Sequence, residues 1–292
     1  MEMMHPLEMQ YGPVDGWIIL LLMGGLSISF FIYQVVKATR LVMLGAPDNR
    51  FDSWGIRIKE MLVGWLGQKK VLRDKVAGTM HVLMFWGFLM LGSDMLDLVS
   101  ANYFSDKILP EFLNDPWNGI VELGYMTALL GALAALTRRV LFTPEKLKGK
   151  SQLEGNFILV LILTITSTSF IIESSENPSS IWEPLGHWVS GLGLSENFIV
   201  ASYWAHMISI CCFLVLIPVS KHMHLVMAIP NVFFHDTQAL GKMRPLAIGD
   251  DGKAVPLEDL DIDSFGVSTF DQYTWRQIID GWSCTSCARC QD

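Results

Sequence analysis

Three closely spaced cysteines, in the run Cys284-Thr-Ser-Cys287-Ala-Arg-Cys290, are the first residues whose type and spacing point to chemistry. A C-x2-C-x2-C run opens the bacterial ferredoxin pattern. Thiolates at that spacing reach the irons of a 4Fe-4S cubane through one tight loop, and a later C-x3-C-P completes the pattern. A structural zinc site is the competing reading of the same thiolates. The next cysteine of the pattern would stand beyond Asp292, so the expectation is an N-terminal fragment whose cluster domain begins here and is cut off. Cys211 and Cys212 lie inside an apolar run and read as inert buried residues.

The second group is a set of histidines, His81, His206, His222 and His224, in or at the ends of strongly apolar stretches. An imidazole in hydrocarbon is costly and rare, so each one asks for a functional explanation. Neutral imidazoles offer nitrogen lone pairs, and two of them on opposite faces of a porphyrin iron make a six-coordinate b-type haem. The bland alternative is a pair of buried histidines bonded to hydroxyls or carbonyls.

The elements that must position these groups are membrane helices. Of 292 residues, 51% are hydrophobic and 17% charged, and the mean hydropathy is +0.37, whereas soluble domains carry about a quarter charged residues. A net charge of −8 gives no basic footprint for nucleic acid. Windows long enough to cross ~30 Å of hydrocarbon lie at roughly 17–36, 78–99, 119–142, 156–172 and 198–227. The fourth is diluted by Thr164, Thr166, Ser167, Thr168 and Ser169, which suits a helix enclosed in a bundle where hydroxyls bond the backbone or a neighbour. Acidic Glu2, Glu8 and Asp15 ahead of the first window argue for a retained first helix rather than a cleaved signal peptide.

Lys and Arg collect between the first two windows, from Lys37 to Lys75, and between the third and fourth, from Arg138 to Lys150. The positive-inside rule puts both segments in the cytoplasm. The expected fold is therefore an all-α membrane protein, a five-transmembrane-helix bundle surrounded by membrane lipid, with its N-terminus outside and its C-terminus cytoplasmic. The helical domain takes 1–235. An acidic, mostly irregular cytoplasmic linker takes 236–282 and ends in a short amphipathic stretch, 274–282. The start of a ferredoxin-like cluster domain takes 283–292. Within the first inner loop, 52–66 reads as an amphipathic helix on the membrane surface, either a spacer or a docking site for a peripheral enzyme.

On one continuous fifth helix, His206 and His224 are five whole turns apart and share a face about 27 Å long, while His222 points away toward headgroups. Because the second and fifth helices run in opposite directions, His81 and His224 reach a common depth in the inner half of the membrane. They are the expected axial pair of a haem b. His206 would serve a second haem nearer the outer face, whose partner position on the second helix is occupied by Leu91. Met90, Met95 and His187 remain as candidates for that ligand, and Pro218 is expected to kink the fifth helix.

In order along the chain stand His81, Tyr203-Trp204-Ala-His206, Pro218-Val-Ser220-Lys221-His222-Met-His224, Phe265-Gly266-Val267, Trp275 and Cys-Thr-x-Cys-x-Arg-Cys. This series resembles the N-terminal half of bacterial membrane iron–sulphur oxidoreductases. That family fuses a domain similar to the gamma subunit of respiratory nitrate reductase to a heterodisulfide-reductase-like, cysteine-rich 4Fe-4S domain. The resemblance implies a quinone-linked oxidoreductase of the bacterial inner membrane. Such proteins pass electrons between quinone and a cytoplasmic donor, such as electron-transfer flavoprotein or a heterodisulfide-reductase-like partner. It also implies paired histidines for two haems: His81 with His224, and His206 as the outer fifth-helix ligand, with Leu91 a departure from the pattern. Glu173, Asp94 and Asp97 are candidates for exchanging quinol protons. Two narrower readings are a haem-free anchor or scaffold for an iron–sulphur oxidoreductase and a gamma-type anchor subunit of a separate respiratory reductase. A transporter or channel would call for intramembrane carboxylates and broken repeat helices.

Overall fold

The computed structural model describes residues 5–104, 111–142, 150–176, 181–238 and 269–285, with Glu258 and Val267. The chain divides into two compact units. The first takes the chain as far as Ile32 and then Gln68–Val219; the second takes Tyr33–Gly67 and the segment from Ser220 through Ser286.

In the first unit a two-residue hairpin, β1 (Gln10–Tyr11) with β2 (Val14–Asp15), precedes α1 (Gly16–Met43). Its turn holds Gly12 at φ 67°, a conformation open to glycine without a side-chain clash. The remaining elements are α3 (Lys75–Phe104), α4 (Glu111–Leu141), α5 (Lys150–Glu176), the short α6 (Pro184–Ser190) and α7 (Glu196–Leu216). Among the described residues, five helical segments are long and apolar enough to cross a membrane: Gly16–Met43, Lys75–Ser93, Pro116–Leu141, Gln152–Ser175 and Glu196–Val219.

Lipid tails give no hydrophobic drive for one helix to meet another, so close approach depends on small residues. At Gly87 a Cβ would stand 2.6 Å from the Gly124 carbonyl oxygen and 2.7 Å from Ala128 Cβ, and Gly131 packs as closely on Met80. α3 and α4 thus meet backbone to backbone. Next in the bundle, α5 is the most enclosed span, with 44% of its apolar window buried against 6% for α1. Its hydroxyls turn inward and back-bond: Thr164 to the Val160 carbonyl, Thr166 to Ile162, Thr168 to Thr164 and Ser169 to Ile165, at 2.6–2.9 Å. This is the enclosed, hydroxyl-lined helix that the composition of the fourth window requires.

The fifth crossing departs from expectation. Pro218 has no N–H to give, and its ring clashes with the carbonyl four residues back. α7 stops at Leu216, a 3-10 turn covers Ile217–Val219, and Ser220 is extended with φ −123°. The Ser220 Oγ then accepts the His222 N–H at 3.1 Å, starting a second 3-10 turn, Lys221–Met223. A separate α8 (His224–Phe233) follows. The chain does not kink and continue to Met227, so the phase of 100° per residue cannot be carried from His206 to His224.

The second unit is a small packed module. α2 (Trp54–Met61), continued by a π-helical turn at Leu62–Leu66, lies against α8, and α8 lies against α9 (Trp275–Ser283). The expected helix is present from Trp54 to Leu66, and part of it is packed against α8. Arg57, only 1% exposed, projects from it to the end of α8 and donates to the carbonyls of Phe233 (3.1 Å) and His235 (2.8 Å). Arg276 of α9 reaches the same end, donating to Phe234 (2.8 Å) and Asn231 (3.0 Å). Two guanidiniums thus satisfy the orphan carbonyls and the negative pole of α8. α9 opens with a capping box between Thr274 and Gln277. It is tied back to the loop after α1 by Ala46 N–H to the Tyr273 carbonyl (2.8 Å) and Trp275 N–H to the Ala46 carbonyl (3.1 Å). Gly45 permits this approach: a Cβ there would stand 2.5 Å from the Trp275 nitrogen.

Candidate functional site

His206 lies in the middle of α7, half-buried, with its Nδ1 held by α5. The Thr168 hydroxyl stands 3.0 Å from that nitrogen and the Ile165 carbonyl oxygen 3.1 Å. A carbonyl only accepts, so Nδ1 carries the ring proton and Nε2 is left with its lone pair. This is the orientation that a metal-ligating histidine is given by its outer partners. Trp204, on the same helix, donates to the hydroxyl of Tyr11 at 2.7 Å, and the N-terminal hairpin is thereby fastened to α7.

His224 opens α8, beyond the fifth span. Its Nδ1 stands 2.9 Å from the Lys221 carbonyl oxygen, which assigns it the same tautomer as His206. Burial pushes its pKa below the usual histidine value, keeping the ring neutral as a ligand must be. His222 does not point away from it: the two rings are 5.6 Å apart and tilted by 55°. The expectation that His222 faces the opposite side fails because the intervening backbone is 3-10, not α-helical. His222 contacts the Ser220 hydroxyl through Nδ1 at 3.4 Å, and a hydroxyl can donate or accept, so its tautomer is not set there. His81, on α3, stacks on Phe85 one turn later, with ring centroids 6.5 Å apart and 13° between planes. α3 and α7 approach each other through Phe88 and Phe213, at 6.3 Å.

The candidates for a further ligand fare differently. Leu91 is packed into an apolar cluster with Val121, Tyr125 and Phe170 of α4 and α5. Met90 lies against Gly124, and His187 is exposed on α6. The side chains of Met95, Asp94 and Asp97 lie outside the described residues, as do Cys287 and Cys290. Cys284 caps the C-terminal end of α9 and is exposed. Cys211 and Cys212 are not buried as expected: the first is half-buried and the second exposed on α7.

One group escaped the sequence reading. Glu122, inside the third span, is 3% exposed, and its Oε1 accepts the N–H groups of Leu185 and Gly186 at 2.8 Å each. Glu173 and Glu183 close around the same Gly186. A carboxylate in an apolar window was the available signal. Here it holds the first turn of α6 onto the bundle.

No known family model matches the chain, and no solved structure matches it. Two curated proteins are similar to it over nearly its whole length. The chain is 25% identical over 288 residues, 94% of its length, to the probable iron-sulfur-binding oxidoreductase FadF of Bacillus subtilis. It is 25% identical across 99% of its length to the EtfAB:quinone oxidoreductase of Syntrophomonas wolfei. It spans about two fifths of each relative, 39% and 43%. The chain is thus similar to one segment of two longer bacterial oxidoreductases, one named for iron–sulphur binding and the other for quinone.

Proposed function

We propose that this chain is the membrane electron-transfer part of a quinone-linked iron–sulphur oxidoreductase. It links cytoplasmic iron–sulphur clusters, fed by a donor such as electron-transfer flavoprotein, to the quinone pool of a bacterial inner membrane. The observation that carries this reading is the combination, in one chain, of five membrane-length helices and a cysteine run at the end of a braced helix. The names of both relatives, similar over nearly the whole chain, agree with it.

The histidines fit a haem b. His206 and His224 each have Nδ1 committed to a backbone carbonyl and Nε2 with its lone pair, the donor set an axial ligand needs. In the pattern that the resemblance implies, His81 and His224 hold one haem, and His206 is a ligand of a second. When bound, a haem held by these imidazoles would supply one-electron ferric/ferrous exchange. The chain's own contribution is to fix the ring tautomers through the Ile165 and Lys221 carbonyls. Cys284, Cys287 and Cys290 supply thiolates to a 4Fe-4S cluster, and Arg57 and Arg276 brace the helix pair that ends at Cys284.

A dithionite-reduced minus oxidised optical spectrum of the detergent-purified chain tests the reading. Sharp b-type bands are expected, with the inner haem's contribution lost in His81→Ala and His224→Ala and kept in His222→Ala. A blank trace in the unsubstituted protein favours the haem-free scaffold instead. Equal pigment in all variants removes the ligand assignment.

A further inference from the structure

The second unit has an open cavity of about 520 Å³ at its surface, lined by Leu41 near the end of α1 and by residues from 270 to 282, within the volume range of small-molecule sites. We propose that it binds the ring of a lipid-soluble quinone; this rests on the quinone reading above and adds the place. Leu41, one of its lining residues, stands in the last turn of a helix long and apolar enough to cross a membrane. A hydrophobic tail can therefore follow α1 into hydrocarbon while the head stays in the cavity. Three aromatic residues are among its lining, Phe270, Tyr273 and Trp282 of α9. Phe270 and Tyr273 are 51% and 42% exposed, so part of each ring is open to an occupant.

A quinone head is flat and weakly polar, with carbonyl oxygens that only accept. The cavity offers donors to match: the Tyr273 hydroxyl and the amide nitrogen of Gln277, whose Oε1 is taken by the Thr274 N–H at 2.9 Å. No Lys or Arg lines it, so a nucleotide or another phosphate ligand would find no counter-charge there. An acyl chain would leave both donors unused. Trp282 stands two residues before Cys284, so an occupant lies beside the start of the cysteine run.

The test uses decylubiquinone added to the detergent-purified full chain, with binding read from quenching of tryptophan emission. The variant is Gly281→Leu. Gly281 lines the cavity in a helix, and a Cβ there meets nothing within 4 Å, so the larger side chain fills space without disturbing the unit. Expected is binding weakened about tenfold or more in Gly281→Leu, with unchanged melting, and a smaller loss in Gln277→Leu. Photo-crosslinking with an azido-quinone is expected to label residues within 270–282. Quinone binding that Gly281→Leu leaves intact overturns the placement and lets the quinone reading stand. Absence of binding by the unsubstituted chain overturns both. Equal displacement by decanol, which has the tail without the ring, makes the cavity a lipid site and overturns the proposal.

Discussion

Replacing Arg57 by methionine keeps the volume of the side chain and removes its hydrogen bonds. The guanidinium donates to the Asp52 carbonyl (2.7 Å), to Asp52 Oδ1 (2.6 Å) and to the carbonyls of Phe233 and His235 at the end of α8. The Asp52 carboxylate is 60% exposed, so that ion pair counts for little. The two α8 carbonyls are different, because removing the donor leaves them without the cation. At about 1.5 kcal/mol for each bond to a charged group, the loss is about 3 kcal/mol, or about a hundredfold in the opening equilibrium of the module. Hydrogen exchange read by mass spectrometry on the detergent-purified chain measures this directly. Amides of 224–235 and 275–283 are expected to exchange about a hundredfold faster, those of α4 and α5 unchanged, and Arg57→Lys should fall between. Unaltered exchange in α8 and α9 would refute the idea that Arg57 fastens them.

Other outcomes follow from the same geometry. Gly45→Ala is expected to break the Ala46–Thr274 pairing, since its Cβ meets the Trp275 backbone at 2.5 Å; limited proteolysis between Phe270 and Cys284 reads this out. Glu122→Ala should free α6 at a cost of about 3 kcal/mol for its two charge-assisted bonds, whereas Glu122→Gln retains an acceptor and most of the protection of the Leu185 and Gly186 amides. The hydrogen bond from Arg57 holds the Asp52 carboxyl below its usual value. A depressed folded-state value means that its contribution is present at neutral pH and lost as pH falls below about 4. Exchange in α2 should then quicken on acidification, and Asp52→Asn should abolish that pH dependence.

What hydropathy reports directly was legible: the centres of all five apolar helices, and the enclosure of α5 through its hydroxyls. The cysteine spacing was legible as well. The end of the fifth helix was not, because Pro218 alone predicts a kink; the break needed Ser220 to capture the His222 N–H, a competition between side chain and backbone that no periodicity displays. Arg57 read as one charge on an amphipathic surface helix, since its partners stand 176 and 178 residues away. The Thr168 and Ile165 partners of His206, 38 and 41 residues distant, were invisible for the same reason.

The broken helix changes the argument for the ligand as well as its geometry. On an ideal helix, phase alone separated His224 from His222; with 3-10 turns between Leu216 and His224, both rings stand side by side and phase separates nothing. Tautomer takes its place. The Lys221 carbonyl compels His224 to protonate Nδ1 and present Nε2, whereas the hydroxyl facing His222 accepts either form. A metal selects the ring already held in the ligating form, because it then does no work to reorient it. His224 therefore keeps its place as a candidate ligand without the premise that first gave it, and it now rests on a single carbonyl. Ser220→Ala, which removes the hydroxyl facing His222 and leaves the Lys221 carbonyl in place, should leave the haem spectrum unchanged; a pigment loss in that variant would return His222 to the site.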